Sequence, residues 1–131
     1  MKQDSAIDLA HILLVDDEPD IAMIMKRGLT KAGFDVTSFT DPLQALANFR
    51  QGVYDFLLLD VKMPQMDGLT LYDRIYQIDN KPKACFLTGF DALHDPDFAK
   101  KSIHHDSKCF LQKPVSMKDL VLTVKSKLGV N

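Results

Sequence analysis

The sequence predicts an α/β domain in which one doubly wound sheet of five parallel strands carries five helices on its two faces. Three observations carry this. Short apolar runs alternate with helical stretches along the whole chain, the order of repeated β–α units. The runs are continuously apolar, as in ILLV and FLLL, the signature of strands buried on both sides. The chain has 131 residues of which 46% are apolar, enough for a single core.

The elements follow in order. His11 to Val15 is the first run, ending on Asp16-Asp17. Pro19 suits the first turn of a helix, where its missing N–H costs nothing. Ile21, Ile24, Met25 and Leu29 recur at helical spacing, and Gly33 stops that helix. Phe34 to Phe39 alternates as a strand. Asp41-Pro42 is a cap followed by a first-turn proline, and Leu43, Leu46 and Phe49 mark a helix face expected to end at Gly52. Tyr54 to Leu59 is the third run. Asp67 to Ile78 reads as a helix with Leu71, Tyr72 and Ile75 on one side. Ala84 to Leu87 is the fourth run, stopped by Thr88-Gly89. Asp91 to Asp106 is sparse in apolar residues and contains Pro96, so its helix is expected to begin at Asp95-Pro96 and to be the least stable element. His104-His105-Asp106 reads as a solvated loop, because adjacent histidines converge poorly on one ion. Cys109 to Leu111 is the fifth run, stopped by Lys113-Pro114, an X-Pro bond that admits either isomer. Ser116 caps the last helix, with Asp119 completing a capping-box pattern and Leu120, Val121, Val124 and Leu128 on its face.

Composition excludes several classes. With 16 basic and 18 acidic side chains there is no basic excess to hold nucleic acid and no charged tail. The longest apolar runs are four or five residues, too short to span a membrane. MKQDSAIDLA carries acids and lacks an apolar core, so it is not a signal peptide. Residues 1–10 read as an extension ahead of a domain over 11–131, and the chain is expected to be cytoplasmic. Cys85 and Cys109 belong to no CxxC motif and sit in strand-like runs. They are expected to be two small buried hydrophobes in a reducing compartment.

The residues that terminate the runs carry the chemistry. The first contributes Asp16 and Asp17, the third Asp60, the fourth Thr88 and the fifth Lys113, while the second ends without a reactive group. In open α/β sheets ligands bind outside the carboxyl ends of the strands. If strands one, three, four and five are neighbours, these side chains surround one shallow pocket. Two carboxylates about 5 Å apart repel by roughly 3 kcal/mol at an effective dielectric near 20, so three need a cation or raised pKa values. Lys113 supplies one positive charge. Magnesium, a hard ion suited to oxygen ligands, would supply the rest. Each acid could instead cap the next helix, which fits Asp17 before Pro19 but leaves the joint set of five unexplained.

VDDEP at 15–19, LLLDVKMPQMDG at 57–68, LTG at 87–89 and FLQKP at 110–114 together resemble the receiver domain of two-component response regulators, the CheY-like family, over about residues 11 to 129. The resemblance implies a flavodoxin-like sheet with strand order 2-1-3-4-5. It makes Asp60 the phosphoacceptor, loaded from a phosphohistidine of a sensor kinase or phosphotransfer protein. Asp17, Asp60 and the backbone carbonyl of Lys62 would ligate Mg2+, and Asp16 would act through a metal-bound water. Thr88 and Lys113 would hold phosphoryl oxygens, and Phe110 would move into space vacated by Thr88. The implied output is a downstream effector or a fused output domain, with no nucleic-acid or membrane binding by the domain itself. A homodimer through the fourth helix, fifth strand and fifth helix is admitted. Phe110 departs from the family's frequent tyrosine. Phe90 and Lys62 flank the path of an attacking water, so Phe90 is expected to prolong the phosphorylated state. A phosphatase of the haloacid-dehalogenase type would need DxD where Asp60 is followed by Val61-Lys62, and a docking module that had lost phosphorylation would not keep all five site residues.

Overall fold

Residues 10–89, 94–102 and 109–130 are described in the computed structural model of the chain. Strands β1 (His11–Val15), β2 (Asp35–Phe39), β3 (Phe56–Asp60), β4 (Lys83–Thr88) and β5 (Cys109–Gln112) form one parallel sheet in the order β2-β1-β3-β4-β5. Among the described residues the helices are α1 (Pro19–Lys31), α2 (Pro42–Ala47), α3 (Gly68–Ile78), α4 (Pro96–Ser102) and α5 (Met117–Leu128). This is the α/β doubly wound architecture, with the strand order that the resemblance implies.

Strand alternation divides the core into two layers. Ile12, Leu14, Phe56, Leu58, Cys85 and Leu87 meet Met25 and Leu29 of α1 and Leu120 and Val124 of α5. Leu13, Val15, Leu57, Leu59 and Phe86 meet Ala45 of α2 and Leu69, Leu71 and Ile75 of α3. Both central strands are sealed: Ile12 to Val15 and Phe56 to Leu59 are at most 1% exposed. That explains the continuous runs, since neither face of β1 or β3 meets water.

Helix boundaries follow their capping chemistry. The Asp41 carboxylate accepts the Leu43 N–H, Asp67 accepts the Thr70 N–H and Ser116 accepts the Asp119 N–H. α2 stops earlier than the expected Gly52. Asn48 is its C-cap and donates its side-chain amide to the Gln44 carbonyl at 2.8 Å, satisfying a terminal acceptor at that point. Phe49 then packs into the core from the turn beyond. Two expected face residues point outward: Ile24 is 56% and Leu43 45% exposed, and the buried positions are Ala22, Met25 and Leu29 in α1 and Pro42 and Ala45 in α2. A period of 3.6 drifts, so a stripe drawn from apolar letters alone overshoots the buried arc.

α4 begins at Pro96, where expected, with Asp95 accepting the Asp97 N–H at 2.9 Å, and it buries no residue. It is tied down by Lys62–Asp95 at 3.0 Å, by Lys101–Asp67 at 2.5 Å and by Phe98 set edge-on to Phe110. The expectation of two separate buried thiols is corrected: Cys85 and Cys109 are register partners on β4 and β5 and form a disulfide. Parallel pairing puts two side chains from opposite ends of a long connection on the same face at neighbouring positions. The Lys113-Pro114 peptide bond is cis.

Burial sets the cost of core changes. Leu58→Ala, at a fully buried central-strand position, is expected to lower stability by about 2–5 kcal/mol in urea unfolding. Leu122→Ala, at a position 55% exposed on α5, should stay within about 0.5 kcal/mol of the parent. Equal losses for the two would contradict this core.

Candidate functional site

The carboxyl ends of the strands carry the site. β1 delivers Asp16, whose N–H donates to the Phe39 carbonyl at 3.2 Å and so anchors the strand's exit. One Asp16 carboxylate oxygen, Oδ1, accepts the Glu18 N–H at 3.0 Å, turning the chain toward α1. The N-cap of α1 is Glu18, with no side-chain bond to the helix, so Asp17 is not spent on capping. Asp60 is the last residue of β3, and its register partner Leu87 puts it beside Thr88 at the end of β4. Lys113 follows β5, its N–H donating to the Thr88 carbonyl at 2.8 Å.

The predicted residues converge. Asp16, Asp17 and Asp60 each offer a carboxylate oxygen, and these three lie within 4.8 Å of one another. Asp16 is fully buried and Asp60 is 3% exposed. Lys113 Nζ lies 3.2 Å from Asp16 Oδ2, 3.5 Å from Asp60 Oδ2 and 3.1 Å from Glu18 Oε1. Burial, and then the charge of Asp16, push the Asp60 carboxyl up to about 7, with Lys113 pulling the other way and the hydrogen bond that a protonated Asp60 donates to Asp17 adding to the rise. Burial alone would lower the Lys113 ammonium, but the charges of Asp60 and Asp16 prevail and raise it.

A hard cation fits this donor set. All three acids supply oxygen, which suits magnesium. Asp16 Oδ2 is fully buried, and the Lys113 ammonium 3.2 Å away is shared with Asp60 and Glu18. A buried carboxylate oxygen that shares its cation with two other acids is costly unless a further cation or its bound water completes it.

The other predicted residues surround this cup. Thr88 is buried, and its hydroxyl donates to the Leu111 carbonyl at 3.4 Å, committed to β5. Phe110 is half-buried, stacked on Phe86 at 5.3 Å and edge-on to Phe98 at 5.9 Å, so in this arrangement it already packs against the core. The Lys62 ammonium reaches Asp95 at 3.0 Å across a groove of about 600 Å3 that Asp17, Met66, Phe98 and Lys101 also line. Phe90 and His104-His105-Asp106 lie outside the described residues.

Two contributors escaped sequence reasoning. Glu18 belongs to VDDEP, but its pairing with Lys113, 95 residues away, is set by the fold. Gly68, the first residue of α3, donates its N–H to the Val61 carbonyl at 2.8 Å, and a Cβ there would overlap the Asp60 carbonyl oxygen. The glycine in QMDG was the available signal: close approach of two backbones needs a residue without a side chain.

Two outcomes are expected. Folded Asp60 keeps its proton up to about 7, whereas the unfolded carboxyl loses it near 3.8, so the folded state binds more protons between those values. Stability in chelator should therefore fall as pH rises from about 4 through 7 and level off above. Asp60→Asn should abolish that fall and be more stable at pH 8 by more than about 1 kcal/mol, measured by thermal unfolding across the range. Parallel curves for the two proteins would count against the buried cup. Gly68→Ala should cost about 1–3 kcal/mol in urea unfolding through the clash with the Asp60 carbonyl, and an unchanged midpoint would refute that contact.

The model of the response regulator receiver domain matches residues 12–125. The chain is similar to the response regulator receiver protein CpdR of Brucella abortus, 35% identical over 92% of this chain and 98% of that one. It is 30% identical to the transcriptional regulatory protein PrrA of Mycobacterium leprae over 95% of this chain, but spans only 52% of that protein. Among solved structures, a CheY-like response regulator receiver domain from Methanospirillum hungatei superimposes with a TM-score of 0.78 at 26% identity, over 92% of this chain and 94% of that one. The chain belongs to the response regulator receiver domain family, the phosphorylation-controlled signalling switches of two-component systems.

Proposed function

We propose that Asp60 is the phosphoacceptor of this switch. The observation that carries the reading is the convergence of three carboxylates within 4.8 Å on a single ammonium, Lys113, at the carboxyl edge of the sheet. An Asp60 oxygen attacks the phosphorus of a phosphohistidine on a sensor kinase or phosphotransfer protein. The O–P bond forms as the P–N bond breaks, and the imidazole nitrogen keeps the electron pair. Phosphoryl transfer asks for positioning and charge neutralisation more than for covalent machinery. Asp16, Asp17, Asp60 and the Lys62 carbonyl would hold Mg2+, which supplies charge neutralisation for two approaching anions.

Lys113 binds one phosphoryl oxygen, exchanging part of its carboxylate contacts for it. Thr88 turns its hydroxyl from Leu111 toward another. Loss of that bond to β5 frees Phe110 to repack, a shift between two packings biased by local charge. The domain is not an enzyme turning over a separate substrate, although it would catalyse its own phosphorylation and hydrolysis. The change is read by an effector or an output domain, and the chain spans nearly all of CpdR but about half of PrrA, which is compatible with either.

Incubation with acetyl phosphate and magnesium should add one phosphoryl group by intact mass, with the adduct mapping to Asp60. Asp60→Asn or chelation should remove it, and Lys113→Ala should leave metal binding in place while slowing uptake at least tenfold. An adduct that survives in Asp60→Asn at the parent's level would sink the assignment.

A further inference from the structure

The Cys85–Cys109 disulfide joins β4, which ends in Thr88, to β5, which leads to Lys113, but plays no part in the phosphoryl chemistry. Its two cysteines are unequally placed. Cys85 is fully buried beneath α1 and α5, whereas Cys109, the first residue of β5, is half-buried and is one of the residues lining a groove of about 530 Å3. That groove lies at the amino ends of β4 and β5, away from the acidic cup. Lys81, Lys83 and Lys127 line it together with Tyr72 and Tyr76. A basic groove lined by one of the two residues of a disulfide has the chemistry to admit an anionic thiol: the lysines favour both the carboxylates of the reagent and its thiolate.

We propose that Cys109 is a thiol-exchange site for an acidic low-molecular-weight thiol of the glutathione type, and that exchange there releases β5. The incoming thiolate attacks Cys109 Sγ, forming a mixed disulfide. The Cys85–Cys109 bond breaks, and Cys85 leaves as a thiolate that takes the proton given up by the reagent. A second reagent thiol then attacks the mixed disulfide at the reagent's own sulfur. The products are two protein thiols and one oxidised reagent, so two electrons pass from the reagent to the protein. β5 is an edge strand of four residues whose sheet partner is β4 alone, so the disulfide is its covalent tie to the sheet. Opening that tie loosens the strand that carries Phe110 and leads to Lys113.

The test uses the whole chain, purified without reductant. It should show no alkylatable thiol until glutathione is added. Two free thiols at the outset would overturn the proposal. In Cys85→Ala, oxidised glutathione should modify Cys109 at least tenfold faster than it modifies Cys85 in Cys109→Ala, by peptide mass mapping, and equal rates would overturn it. Lys81→Gln with Lys83→Gln should slow opening by glutathione several-fold while leaving opening by neutral 2-mercaptoethanol unchanged. Equal slowing by both reagents, or by neither, would remove the groove from the account. Hydrogen exchange at residues 110–112 should be at least threefold faster in the reduced protein, and unchanged exchange would refute the release of β5.

Discussion

One ammonium holds the centre of this molecule. Lys113 faces Asp16, Asp60 and Glu18 from 3.1–3.5 Å, and Asp17 stands within the same carboxylate cluster. A single charge cannot neutralise that many, so the cup keeps an excess of negative potential in a region largely closed to water. The rest of the fold makes this unfavourable arrangement persist. β1 and β3, sealed on both faces, fix where Asp16 and Asp60 leave the sheet, and the Thr88 carbonyl fixes where Lys113 begins. The same excess suits a divalent cation and raises the Asp60 carboxyl to about 7.

Much of this was readable in the letters, for a physical reason. A parallel sheet writes its strands as unbroken apolar runs and ends each on the edge where ligands sit, so the list of run-terminating residues already named side chains that converge at that edge. The caps at Asp41, Asp67 and Ser116 are local events between residues two or three apart, and local chemistry is legible. What stayed hidden depends on register and on distance through space. Cys85 and Cys109 are 24 residues apart, and nothing in that spacing says that β4 and β5 align them. Gly68 matters because the loop after Asp60 folds back onto its own strand, a contact written nowhere in the composition. The early end of α2 turned on whether Asn48 would spend its amide on the helix, a choice that the apolar spacing of Leu43, Leu46 and Phe49 does not encode.

The two ends of the sheet divide the chemistry between them. At the carboxyl end, carboxylates gather around a cation, and at the amino end, lysines and tyrosines surround the approach to Cys109. β4 and β5 connect these ends. Thr88 ends β4 and Lys113 follows β5, the two strands whose opening residues line the basic groove. The four-residue edge strand is thus common to both ends, with Cys109 opening it and Lys113 following it.

α4 is fastened differently from every other helix. Among the described helices it alone presents no buried side chain, and its attachments include Lys62–Asp95, Lys101–Asp67 and the half-buried Phe98, set edge-on to Phe110 at the rim of the core. Such pairs are individually weak and are screened within about 8 Å at physiological ionic strength. The hold of α4 on the domain is therefore set by the ionic medium as well as by the apolar contact of Phe98. A partner bearing its own charges could displace α4's tethers by competing for them, leaving the sheet beneath undisturbed.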